Sequence, residues 1–261
     1  MNKKLNSCFT FVDKYICQKS KHSQITPLII VAFIIVIILI FLFIPSNNLK
    51  FQNVDDEIKL IYDYVQECIK ETGERAILDT SSYGGYFISP EESLENGIPY
   101  YFRNGKNLMP NKERIENEIG NYVNDLNFFC INNFEKFEDY IISDEEIKAI
   151  VNIEKEKVIF NVYYPISITK GERSYNLKSF YLEIPARLDE IYDASKFIID
   201  QQVKDTKSIC ITCLDEVSSN DFYVNALQVD DRNIIYTIKD EKVKINNESL
   251  VFNFASELDE L

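Results

Sequence analysis

Apolar positions fall along this chain in three different rhythms. Residues 28–44 read LIIVAFIIVIILIFLFI, an unbroken run of 17 apolar side chains between Pro27 and Pro45. At about 1.5 Å per residue, a helix of that length spans roughly 26 Å, close to the hydrocarbon thickness of a bilayer. A helix buried in a soluble domain shows a polar face, and this run has none. The pattern predicts a transmembrane helix over residues 25–45, with a short polar stalk at 46–53.

Beyond the stalk the rhythm changes to spacings of three and four. Ile58, Ile61, Val65, Cys68, Thr72 and Ala76 make one stripe of a helix expected over residues 54–78, with Asp55, Asp56 and Glu57 in its first turn. Ile115, Ile119, Tyr122, Val123, Leu126, Phe129 and Cys130 make the stripe of a second, running from Pro110 and Asn111 to about residue 134. Between them, Tyr83-Gly84-Gly85-Tyr86 breaks the first helix, and Asn104-Gly105 centres a hairpin over residues 100–109. A third helix is expected over residues 188–203, with Leu188, Ile191, Ala194 and Ile198 on one face. Partial alternation of β-branched and aromatic residues marks strands at 147–153, 158–169, 175–188, 222–229, 233–239 and 250–254. The fold class is α+β: an N-terminal transmembrane helix, then two long helices with a hairpin between them, packed with a mostly antiparallel sheet. The domain spans residues 54–261.

Charge orients this arrangement. The net charge is −14, but residues 1–24 carry five lysines against Asp13, leaving 23 basic and 41 acidic residues, a balance of −18, for the rest. Lysines flanking a membrane helix stay on the cytoplasmic side, so residues 1–24 form a cytoplasmic basic tail and the acidic domain lies outside the cell membrane. A cleaved signal peptide is the rival reading; no small-x-small site follows the run. So acidic a domain repels phosphate backbones, which excludes nucleic acid as a partner. The expected partners are the bilayer, through residues 25–45, and a protein of the envelope.

Cysteine and histidine narrow the chemistry. The domain holds Cys68, Cys130, Cys210 and Cys213, an even count in an oxidising compartment, so disulfides are expected. Cys210 and Cys213 are close enough in sequence to pair locally. Cys68 and Cys130 each sit on the stripe of a different helix, which favours a bond between them. Two other uses of the thiols compete: disulfide exchange at Cys210-Ile211-Thr212-Cys213, and a structural zinc site on all four. The thioredoxin pattern places a proline after its cysteines, and all seven prolines here precede Cys210. The single histidine, His22, lies in the tail, so the domain has none for a Ser-His-Asp, Cys-His or histidine-ligated metal site. No glycine-rich phosphate loop and no calcium loop occurs, and no cofactor or catalytic residue is nominated. Asn247-Glu248-Ser249 is the one N-glycosylation pattern in the domain.

Several segments carry a resemblance: Val65-Gln66-Glu67-Cys68-Ile69, Gly84-Gly85-Tyr86, Tyr100-Tyr101 through Pro110, Cys130, Phe160 through Pro165, and Val251-Phe252-Asn253-Phe254-Ala255. Over most of residues 54–256 the chain resembles a group of single-pass archaeal envelope proteins. The resemblance implies an anchored α+β domain at the cell surface and no particular activity. The leading expectation is a non-enzymatic binding or scaffold domain. The alternative is an envelope thiol-disulfide oxidoreductase using Cys210 and Cys213.

Overall fold

The stripe predicted for the first helix is buried along its whole length in a computed structural model, which describes residues 55–259. The expected tail, membrane helix and stalk lie outside the described residues. Among those described, no helix is long and apolar enough to cross a membrane. They belong to one compact unit, Val54–Leu261.

Helix α1 runs from Lys59 to Ser82, starting later and ending later than its pattern suggested. The three acidic residues therefore precede the helix. Glu57 is drawn off instead: its carboxylate accepts from the Tyr175 hydroxyl and from Arg173 at 2.9 Å, with Lys170 Nζ at 3.7 Å. The Tyr175 hydrogen bond, then Arg173, hold its pKa below the ordinary carboxylate value. Gly85 ends α1, its N–H reaching the Thr80 carbonyl at 2.8 Å; it has φ +80°, and a Cβ there would lie 2.6 Å from Ile115. Helix α2 spans Lys112–Ile131, with the Asn111 side chain accepting the Arg114 N–H as a cap. Of the expected stripe, Ile115, Ile119 and Val123 are buried, Tyr122, Leu126 and Cys130 are half-buried, and Phe129 is 70% exposed beside Phe128.

The strands form two sheets rather than one. Strands β1 (Tyr100–Arg103), β2 (Lys106–Asn107), β7 (Phe222–Gln228), β8 (Asn233–Ile245) and β9 (Glu248–Glu257) are ordered β2-β1-β9-β8-β7. The predicted hairpin thus joins the C-terminal strands, and its pairing with β9 is parallel. In the other sheet β5 (Lys157–Lys170) is central. Strand β6 (Arg173–Pro185) lies along one side. Strands β4 (Lys148–Glu154) and β3 (Ile141–Asp144, missed by the alternation) follow one another along the other side. Between Tyr163 and Ile166, β5 carries one residue more than β6, a bulge that accommodates Pro165, which has no N–H for the ladder. The inward set on β6 accordingly moves from Phe180, Leu182 and Ile184 to Leu177. A single apolar core runs through both sheets and under α1 and α2.

Helix α2 also covers an edge. The Asn124 side chain accepts the Ala149 N–H at 2.8 Å, and Glu116 accepts that of Ile153 at 2.7 Å. Two outward donors of β4 are thereby satisfied by a helix, and the edge is closed to another chain. Gly120 allows the approach: a Cβ there would stand 2.9 Å from the Ala149 carbonyl oxygen.

Gly120→Ala tests this seam. The helix-propensity gain of about 1 kcal/mol is opposed by an overpacking cost of about 1–3 kcal/mol, so net destabilisation is expected. Asn124→Ala leaves the Ala149 N–H without its acceptor and should cost about 1–3 kcal/mol. Urea midpoints with the disulfides intact measure both, and a stabilised Gly120→Ala would show that the helix can move away from β4 freely.

Candidate functional site

Two features carry polar chemistry: a buried arginine, and a cleft beside the Cys210–Cys213 segment. Helix α3 spans Leu188–Gln202, as its stripe predicted. A short helix, α4, spans Ile211–Ser218 where the pattern indicated only an irregular segment. Eight residues are too few for periodicity to register, and α4 buries only Cys213 and Val217.

Arg187 stands between β6 and α3 and is 5% exposed. Its guanidinium donates to Glu190 at 2.8 Å, to Asp240 at 3.2 Å and to the Asn220 carbonyl at 2.8 Å, and lies 4.1 Å from the centroid of the Phe222 ring. Glu190 above all, with Asp240, outweighs burial and holds the Arg187 pKa above its ordinary value. Asp240 is fully buried and sits opposite Phe222 on the neighbouring strand. Its Oδ1 also accepts the N–H groups of Lys242 and Val243 at 2.8 and 3.2 Å, binding the stretch where β8 carries extra residues relative to β9. Its Oδ2 has no hydrogen-bond partner among the described residues. A carboxylate so placed depends on the arginine.

Beside this pair α3, α4 and β7 enclose a cleft of about 330 Å³. Glu190, Asp193 and Glu216 line it with carboxylates, and Phe197, Val217 and Phe222 with apolar surface. Arg187 already holds Glu190, and Lys112 Nζ lies 3.9 Å from Asp193, so the lining is acidic with part of its charge offset; a cation with apolar flanks suits it. Among the described residues no group of three or more His, Cys, Asp or Glu has the geometry to hold a metal ion.

The two cysteine pairs expected from the sequence lie at disulfide distance. Cys68 and Cys130 join α1 to α2 with Cα atoms 5.4 Å apart, and Cys210 and Cys213 have Cα atoms 5.3 Å apart at the head of α4. Closing a loop over 62 residues contributes on the order of 4 kcal/mol in the chain-entropy model, while the three-residue separation contributes roughly 2 kcal/mol. The first pair is a staple of the helix seam. The second belongs to the helix that lines the cleft. Arg187, Asp240 and the cleft residues were not singled out in the sequence. The one available signal was an acidic residue, Asp240, ending an otherwise strand-like run. No protein-family model, curated protein or solved structure matches this chain.

Arg187→Met should destabilise the domain by about 3–5 kcal/mol, because it strands the Asp240 charge. Adding Asp240→Asn should recover part of that loss, since the amide oxygen can still accept from residues 242 and 243. Denaturant titration of the single and double variants decides it: a double variant worse than Arg187→Met would exclude the stranded charge as the cause.

Proposed function

We propose that this chain is a single-pass, membrane-anchored extracytoplasmic domain that binds a cationic, partly apolar segment of a protein partner in the cleft between α3, α4 and β7. The apolar run at residues 28–44 supports the anchor, and the five lysines before it support a cytoplasmic N-terminus. Two cysteine pairs at disulfide distance suit an oxidising compartment. The resemblance to anchored archaeal envelope proteins points the same way.

The observation that carries the binding role is the cleft lining, three carboxylates (Glu190 paired with Arg187, Asp193 facing Lys112, and Glu216) around two phenylalanines, in a region whose net charge is −18. Carboxylates attract a basic segment from a distance and set its on-rate, while the aromatic floor accepts the stems of lysine or arginine side chains. A non-enzymatic role also fits the absence of histidine from residues 55–259.

The full-length chain should resist alkaline carbonate extraction from membranes, with its C-terminal domain digested only from the outer side. In the same preparation, a fluorescent peptide of alternating lysine and phenylalanine should bind. Asp193→Lys combined with Glu216→Lys should weaken it about tenfold, roughly 1.4 kcal/mol, and raised salt should weaken it further. Binding indifferent to both changes would remove the cleft from the proposal, and extraction by carbonate would remove the anchor.

A further inference from the structure

We infer that Cys210–Cys213 is an exchangeable disulfide: it accepts electrons from a protein dithiol, with the Cys210 sulfur as the atom attacked. Four observations at the head of α4 carry this. Cys210 immediately precedes the helix, and its carbonyl accepts the N–H of Cys213 at 3.1 Å and of Leu214 at 3.3 Å. Cys210 is thus the cap residue of α4, at the end where the helix dipole favours a thiolate. The Thr212 hydroxyl stands 3.5 Å from that sulfur and is placed to donate to it. Cys210 is half-buried and open to a reactant, whereas Cys213 is 5% exposed. Between them Ile211 is 67% exposed, an apolar contact for an incoming polypeptide beside the reacting sulfur.

The exchange balances within these groups. A partner thiolate attacks the Cys210 sulfur; a new S–S bond forms, and the Cys210–Cys213 bond breaks with Cys213 leaving as thiolate, which takes up a proton. The partner's second thiolate then attacks its own sulfur in the mixed disulfide. Cys210 leaves as a thiolate beside the Thr212 hydroxyl. The partner's two thiols have lost two electrons and two protons; Cys210 and Cys213 have gained both electrons, Cys213 has taken one proton, and the other goes to solvent, one equivalent per chain. Asp215 and Glu216 on the same helix make the surroundings negative, so a thiol on a basic segment reacts ahead of an anionic one. The exchange stands independently of the cleft's ligand.

The test uses the full-length chain in detergent, with cysteamine as a cationic thiol and 2-mercaptoethanesulfonate as an anionic one. Alkylation and mass spectrometry follow each disulfide. Cys210–Cys213 should open at least about tenfold faster than Cys68–Cys130, and cysteamine should outpace the sulfonate severalfold. In Cys213→Ser, cystamine, the disulfide of cysteamine, should transfer one cysteamine to Cys210 while its other half leaves as the thiol. In Cys210→Ser, Cys213 should stay unmodified until denaturant is added, with Cys68–Cys130 intact as the sign of a folded domain. Equal opening rates for the two disulfides, or capture on Cys213 in preference to Cys210, would overturn the exchange. A rate that ignores or reverses the charge preference would overturn the basic partner.

Discussion

The Arg187 guanidinium touches segments that the chain order keeps well apart. It follows the last strand of one sheet, binds Asp240 within the other, receives the Asn220 carbonyl at the entry to β7 and stacks on Phe222. Opposite charges about 4 Å apart attract by about 4 kcal/mol at an effective dielectric of 20, against a desolvation cost of several kcal/mol for each buried ion. These nearly cancel, so the pair adds little net stability. What it fixes is position. With one cation between Glu190 and Asp240, the relative placement of β6, β7, β8 and the start of α3 has few alternatives, and so has the cleft that α3 and β7 enclose.

A second constraint is the management of edges. Two sheets with open sides need cover, and α2 supplies it for β4 through side-chain acceptors in place of another strand. The same helix is stapled to α1 through Cys130, and Tyr64 of α1 donates its hydroxyl to the Cys130 carbonyl at 2.7 Å. Edge cover, staple and core burial thus converge on one helix pair. Strand β7 lies at the edge of its sheet, and α4 packs against it. The strongly built side of the domain is therefore α1 and α2, and the lightly built side is α4, β7 and the cleft.

The helix stripes were legible because each helix is long enough for period 3.6 to repeat and faces one core. Phe129 broke the pattern: it shares the helix face of Cys130, but the seam with α1 leaves it beside Phe128 in solvent. Strands were legible as elements and not as a sheet. Alternation reports which face is buried and says nothing of the partner, so the parallel pairing of β1 with β9, setting Tyr100 against Ala255 and Phe102 against Ser256, has no local signature. The cysteine pairing could be argued because helical faces restrict reach. The Arg187–Asp240 pair could not, since a charged residue before a helix and another in a strand read as surface until the fold brings them together.

That contrast bears on where chemistry can reside in an otherwise structural chain. An isolated helix of eight residues is unstable in water, and α4 gains little from burial, with only Cys213 and Val217 covered. Regions with few buried contacts open at a small fraction of the global unfolding free energy. The Cys68–Cys130 bond also pairs a buried cysteine with a half-buried one, but it is held between two long packed helices. The Cys210–Cys213 bond is guarded by one helical turn. Two disulfides of similar exposure thus differ in how firmly their surroundings are built, and the less firmly held one lies on the helix that also forms a wall of the acidic cleft.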